Sequence, residues 1–377
     1  MKTAGIITMH AVANYGSYLQ TYATCKYIEK MTFLGGVMPT IIDYRFPTEY
    51  HKSIAKSRKS EVPKPTWLQM KIAGLCGRIV KLNPALRMQR MKDFYEKYIR
   101  MTRPYNDAQD LRDNPPKFDY YITGSDQVWN PEWVGEDTSF MLSWVKDEGK
   151  MVAYGASFAI KQLPKGIEEL YKKQLMRYDA ISVREKSDIL QRMGLESRVV
   201  LDPTFLLNKE EWSEIISSQR LVKKKYILCY LLRYTYDPYP YVHEVIKWVK
   251  KQTDYEVVII GPEVELILKG YKVMPNCGPL EFLNLFANAE FVITSSFHGT
   301  SFAINFNKQF FTILDNKATL DNRQVSLIET LGLSSSCMIK KGTPAFQLAM
   351  PNLDYSSLTG IEECRNQSKE FLRKALE

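Results

Sequence analysis

The sequence predicts an α/β protein built from two doubly wound, Rossmann-like domains facing a cleft. Three observations carry that expectation. Short apolar runs of strand length recur along the chain with helical patterns between most of them, as in a parallel sheet covered on both faces. The runs fall into two successive sets, and 377 residues are enough for two ordinary domains. Five junctions between a run and the next helical pattern are polar, four of them glycine-bearing, and open α/β sheets bind ligands outside the carboxyl ends of their strands.

The first set opens with AGIITM at 4–9, followed by a loop holding Asn14 and Gly16 and a helix carrying Tyr18, Leu19, Tyr22 and Ala23. Further strands are expected at 37–43, 118–123, 151–156, 179–183 and 198–201. The second set begins at 226–232 (YILCYLL), continues through a helix near 239–252 and a strand at 255–260, and ends with strands at 290–294 and 310–314. Polar and charged residues cluster at 206–224 and mark the boundary. This gives an N-terminal domain over 1–210 with a basic helical insertion at 51–100, a C-terminal domain over 211–360, and a final helix over 361–377.

Composition narrows the function classes. Apolar residues make up 45% of the chain and charged residues 25%, the balance of a globular protein. The six cysteines, Cys25, Cys76, Cys229, Cys277, Cys337 and Cys364, lie far apart without a CxxC pair, which argues against a disulfide framework or a zinc site. No stretch has the length of a signal h-region or a membrane span, so a cytoplasmic location is expected. The net charge is +9, and residues 51–100 alone hold thirteen Lys and Arg against three acidic residues. Interleaved with Trp67, Leu68, Met70, Ile72, Leu75, Ile79, Leu82, Leu86 and Met88, this stretch reads either as solvated helix faces or as a contact with an anionic membrane. No nucleic-acid recognition motif accompanies the charge.

The junctions are where chemistry is expected. TSSFHGTS (294–301) puts His298 before a helix whose first amides come from Gly299, Thr300 and Ser301, an arrangement suited to anions. From this stretch alone the plainer reading is a structural histidine. TGSDQVWNP (123–131) ends a strand at Asp126, by default a helix cap, yet Gln127, Trp129 and Asn130 follow and suggest a sugar-stacking surface. SVREKSD (182–188) offers Arg184, either as a clamp for carboxylate or phosphate or as a surface ion pair. ANYGSYLQ (13–20) places Tyr15 and Gln20 beside the Asn14–Gly16 turn. GxGxxG, Walker, GxSxG and HExxH motifs are absent, and no metal-ligand constellation is visible.

Six stretches in this order, NYGSYLQTYA (14–23), ITGSDQVWNP (122–131), VAYGASFA (152–159), ISVREKS (181–187), VVLDPTFLL (199–207) and ITSSFHGTSFAI (293–304), resemble the polysaccharide pyruvyl transferase family. The resemblance spans roughly residues 1–335 and implies a two-lobed fold similar to the glycosyltransferase B fold, with the final helix returning to the first lobe. It implies transfer of a pyruvyl group from phosphoenolpyruvate, as co-substrate and with no other cofactor, onto two hydroxyls of a sugar. The expected catalytic pair is His298 and Asp126, with acid and base left open between them. Arg184, Ser296, Gly299, Thr300 and Ser301 are expected on the donor side, and Asn14, Tyr15, Gln20, Gln127, Trp129 and Asn130 on the acceptor side. Some family members carry an arginine two residues before the histidine. Ser296 stands there in this chain, and Arg323 is expected to supply the missing charge.

The acceptor implied is a cell-surface polysaccharide precursor, lipid-linked, at the inner face of the cytoplasmic membrane. Two other readings compete. One is a nucleotide-sugar glycosyltransferase of the same fold with Glu281 on a ribose, and the other is a non-catalytic carbohydrate-binding protein.

Overall fold

All ten expected strands form, each within a few residues of its apolar run. The computed structural model describes residues 1–31, 35–46, 66–146, 148–233, 236–315, 323–356 and 359–377, so residues 51–65 of the basic stretch lie outside the described part. The first sheet comprises β1 (Lys2–Ile7), β2 (Val37–Ile41), β3 (Tyr120–Thr123), β4 (Lys150–Ala156), β5 (Ala180–Val183) and β6 (Arg198–Val199), in the order β2-β1-β3-β4-β5-β6. The second comprises β7 (Tyr226–Tyr230), β8 (Glu256–Ile260), β9 (Lys272–Met274), β10 (Phe291–Thr294), β11 (Gln309–Leu314) and β12 (Met338–Lys340), in the order β12-β11-β10-β7-β8-β9. Every pairing in both sheets is parallel. The edge strands β9 and β12, three residues each, were not expected because so short a run shows no periodicity. Pro39 falls in β2, an edge strand, where a missing N–H is tolerated.

The helices that matter for the site are α1 (Tyr15–Glu29), α2 (Trp67–Ile79), α3 (Pro84–Tyr98), α4 (Val242–Thr253), α5 (Pro279–Asn288), α6 (Phe297–Asn305), α7 (Arg323–Thr330) and α8 (Thr359–Ala375). One apolar core runs without a break from the first sheet to the second. It passes from Ile6 and Ile122 through Leu19, Tyr22 and Trp212 to Phe302 and Phe310. Aromatic contacts join the lobes: Tyr15 stacks on Phe282 with centroids 4.6 Å apart, and Trp212, in the boundary segment, bridges Tyr22 of the first lobe at 5.6 Å and Phe302 of the second, edge-on at 5.2 Å. Helix α8 lies against the first lobe, where Ser368 Oγ accepts from the Leu201 amide at 2.8 Å and Phe371 contacts Tyr154. Burying this much apolar surface between the lobes holds their facing strand ends in a fixed relation.

Candidate active site

Each sheet reverses its strand order at one place, and the two reversals face each other. In the first sheet the reversal lies between β1 and β3, and in the second between β7 and β10, so both crevices open at the carboxyl ends of those strands. Asn14, capping α1 through its Oδ1 on the Gly16 amide at 2.9 Å, lies on the chain leaving β1. Asp126 follows β3, with φ at +76° in the left-handed region. A non-glycine residue persists there only where its surroundings hold it, and such residues cluster at functional sites. Here Ser17 Oγ donates to Asp126 Oδ2 at 3.1 Å, Arg184 Nη2 to Oδ1 at 3.2 Å, and the Gln127 amide to Oδ1 at 3.0 Å.

On the second lobe β10 ends at Thr294, and Ser296 caps α6 by accepting from the Gly299 amide at 3.2 Å. His298 is therefore the second residue of the helix and is buried. Its ring rests on the first turn of α1 in the opposite lobe. A Cβ on Gly16 would come 2.0 Å from His298 Nδ1, so only glycine leaves room for the imidazole.

Beneath these residues runs a line of buried charge. Asp202, at the turn after β6, accepts from Arg184 Nη1 at 2.9 Å through Oδ2, while its Oδ1 accepts from the Thr204 amide and hydroxyl at 3.0 and 2.8 Å. The same Oδ2 lies 3.6 Å from His298 Nε2, an ion-pair distance too long for a hydrogen bond, and Nε2 has no hydrogen-bond partner. Burial opposes ionisation of Asp202, but His298 and Arg184 outweigh it and hold the carboxyl well below its ordinary range. Asp126 is also held low. Burial again opposes its charge, and Arg184, His298 and Arg323 overcome it. Glu185 anchors the 157–159 turn, accepting from Ser157 Oγ at 2.9 Å and from the Phe158 and Ala159 amides.

Between the lobes lies a cavity of about 430 Å³. Asn14, Tyr15, Asp126, Gln127, His298 and Arg323 all line it, as do Arg87, Trp133, Tyr230 and Phe297, which the motifs had not singled out. Arg87 reaches it from α3: Nε donates to Tyr15 Oη at 3.3 Å and Nη2 to Ala13 O at 3.2 Å, using two of the five donors of a guanidinium. Burial pushes the Tyr15 hydroxyl up to about 12, so it stays neutral near pH 7, and it donates to Cys277 O at 2.8 Å.

Several expected ligand contacts are structural. Trp129 is fully buried against Phe158 and Tyr178, so it offers no stacking face; the tryptophan that lines the cavity is Trp133, whose Nε1 donates to Gln127 Oε1 at 2.9 Å. Asn130 caps the turn at 131–134, and Gln20 is buried, donating to Thr8 Oγ1, Ser17 O and Thr21 Oγ1. Arg184, its side chain fully buried, is engaged by Asp202 and Asp126 and does not line the cavity. At the start of α6 the Gly299 amide is taken by Ser296 Oγ and the Thr300 amide by Ser296 O, while the Ser301 hydroxyl donates to Phe297 O. These residues build the helix start and leave the cavity wall to Phe297 and His298. Glu281, the carboxylate of the glycosyltransferase reading, closes a capping box on the Gly278 amide and pairs with Arg90 at 3.3 Å.

The missed residue of most consequence is Asp202. It stood in the VVLDPTFLL stretch, just past a strand end and before a proline, the same kind of junction that drew attention to Asp126.

The model of the polysaccharide pyruvyl transferase family matches residues 14–317, well over half of the chain. The chain belongs to this family. A pyruvyl transferase family member is a transferase, and Asn14, Asp126 and His298 at the cavity lie inside the matched region, while Arg323 lies just beyond it. In fold the chain is similar to the UDP-N-acetylglucosamine 2-epimerase of Rickettsia bellii, at 12% identity and a TM-score of 0.50 over 99% of this chain and 95% of that one. Another UDP-N-acetylglucosamine 2-epimerase structure is similar at 12% identity and a TM-score of 0.50, over 100% of this chain and 94% of that one. At such identities the likeness is one of fold. None of the curated proteins matches the chain in sequence. Among the described residues, no group of three or more His, Cys, Asp or Glu could hold a metal ion.

Proposed function

We propose that this pyruvyl transferase family member moves the three-carbon unit of phosphoenolpyruvate onto two hydroxyls of one sugar in a cell-surface polysaccharide precursor, forming a cyclic ketal and releasing phosphate. The observation that carries this reading is the convergence of His298, Asp126, Arg87 and Arg323 on one cavity between two strand-order reversals. Phosphoenolpyruvate is a compact polyanion, and two guanidiniums suit its phosphate and carboxylate. A proton goes to C3, the resulting electrophilic C2 takes the first sugar oxygen, the C2–O bond to phosphate breaks, and the second hydroxyl closes the ring. Two hydroxyl protons leave the sugar, one balanced by the new C3–H and the other by the departing phosphate.

His298 is the group proposed to hand over the C3 proton. Asp202 and Asp126, both held ionised, put negative charge beside the ring, with Asp202 Oδ2 3.6 Å from Nε2. Asp126, held by Ser17 and Arg184 at the cavity wall, is the group proposed to receive a hydroxyl proton. Tyr15, Gln127 and Trp133 supply an amphipathic surface for the sugar.

Phosphate release from phosphoenolpyruvate in the presence of a panel of sugar acceptors tests the reading, together with thermal-shift titration. Turnover dependent on His298 and stabilisation by phosphoenolpyruvate support it. Stabilisation by nucleoside diphosphates instead, with no phosphate release for any acceptor, overturns it.

A further inference from the structure

Helix α2 is built inside out. Its large apolar side chains face solvent: Trp67 is 65% exposed, Leu68 60%, Leu75 61% and Ile79 63%, with Met70 and Ile72 also open. The residues it buries are the small Cys76 and Gly77. Against the second lobe it meets the turn Val264–Lys269, whose Leu268 is exposed as well. A globular helix normally turns its large apolar face to the core. Contiguous exposed apolar residues of this kind mark an interaction surface.

The charge around this face says what covers it. Lys71, Arg78 and Lys81 are exposed on α2 and just beyond it, with the Lys71 ammonium 3.9 Å above the Trp67 ring. From 66 to 100 the chain holds eight basic residues against Asp93 and Glu96. Apolar side chains including a tryptophan, flanked by lysine and arginine, are the equipment of a helix that lies in the interface of an anionic bilayer. None of the helices among the described residues is long and apolar enough to span one.

The helix is also tied to the site. Past Lys81 the chain continues into Leu82, Pro84 and Arg87, all of which line the cavity. This corner is fixed to the second lobe by the Asn83 amide on Asn276 Oδ1 at 2.7 Å, Asn276 Nδ2 on Lys81 O at 2.8 Å and Arg90 Nη1 on Asn276 O at 2.9 Å.

We propose that the exposed face of α2 docks the protein on an anionic lipid bilayer and sets the cavity, through the Leu82–Arg87 corner, beside the lipid surface. Resting on the pyruvyl transfer reading, this makes the acceptor a saccharide carried on a membrane lipid and presented at that corner. The docking itself stands on the geometry and charge of α2.

The test is sedimentation of the full-length protein with sucrose-loaded vesicles of phosphatidylcholine, with and without an equal share of phosphatidylglycerol. Wild type is expected to co-sediment with the anionic vesicles, far less with the neutral ones, and less as salt is raised. Each basic side chain near the surface strengthens binding roughly fivefold, so Lys71→Gln/Arg78→Gln/Lys81→Gln is expected to weaken it about a hundredfold. Leu68→Ser/Leu75→Ser/Ile79→Ser should abolish co-sedimentation while leaving thermal unfolding and phosphate release with a water-soluble acceptor unchanged. Equal, negligible sedimentation with both vesicle types overturns the proposal, as does binding that survives both triple variants. A wild-type dimer that ignores vesicles and becomes monomeric in the serine variant also overturns it, assigning the face to a second copy of the chain. Co-sedimentation, thermal unfolding and oligomeric state are all read without turnover, so failure of docking and failure of pyruvyl transfer are read separately.

Discussion

The two lobes meet the cavity with opposite kinds of side chain. The first lobe brings Asp126, backed by Arg184 and Asp202, every charge of which is matched by a partner within 3.2 Å. The second brings His298, whose Nε2 has no hydrogen-bond partner and whose ring is held by packing against Gly16 of the other lobe. One half of the site is locked by electrostatics within its own domain. The other half is positioned by contact across the interface, so its geometry depends on how the domains sit together. A buried polar atom left without a bond is costly to folding, and sites that keep one do so where chemistry uses it.

That contrast is most directly broken at His298 and Gly16. His298→Ala is expected to lower turnover by about 10²–10⁴-fold, the usual worth of a general acid. Gly16→Ala keeps every functional group yet pushes a methyl into the imidazole, and kcat should fall roughly a hundredfold, because displacements of an ångström cost about that much. Steady-state kinetics with unchanged circular dichroism checks both; full activity in Gly16→Ala would mean that the interface does not position the ring.

The first lobe should respond in stability instead. Removing one member of a buried ion pair costs about 3–5 kcal/mol, so Asp202→Ala should lower the denaturation midpoint markedly. Asp202 and Asp126 have folded-state carboxyls held below the unfolded value of about 3.9. Their stabilisation is therefore present above that pH and is lost as pH falls through it toward the folded values. Denaturant titrations across the acid range should show a steep loss in wild type and a flatter one in Asp202→Asn.

Smaller effects separate the lining residues from those behind them. Arg87→Gln should raise KM for phosphoenolpyruvate by roughly tenfold, the loss expected for one charge-assisted hydrogen bond, with kcat little changed. Trp133→Ala should weaken acceptor binding by about 1–2 kcal/mol at little cost in stability, whereas Trp129→Ala should destabilise by about 3–5 kcal/mol. The reverse pattern would return the sugar surface to Trp129.

Much of this was legible in the chain. Strands such as YILCY and EVVII, buried on both faces, show as unbroken apolar runs, and the polar junctions after them located Asp126 and His298 because strand ends are where an open sheet leaves room. The site was less legible. Arg184 and Arg323 look alike in sequence, yet one guanidinium is consumed by two aspartates and the other lines the cavity. Trp129 and Trp133 differ by four positions and by the whole distance between core and cavity wall. Arg87 lay unnoticed in a basic stretch read as surface, more than 200 residues from His298, which shares its cavity.

What the sequence by itself determined is the periodicity, the parallel architecture and the family, because these follow from local patterns and from short motifs in order. Which charges are buried in ion pairs and which line the cavity was decided only by the tertiary structure. A carboxylate or guanidinium takes its role from the partners within a few ångströms, and in a two-lobed fold those partners come from distant segments. Gly16 beside His298 shows the same dependence in its simplest form: a glycine in one helix has meaning only once the imidazole of the other lobe rests on it.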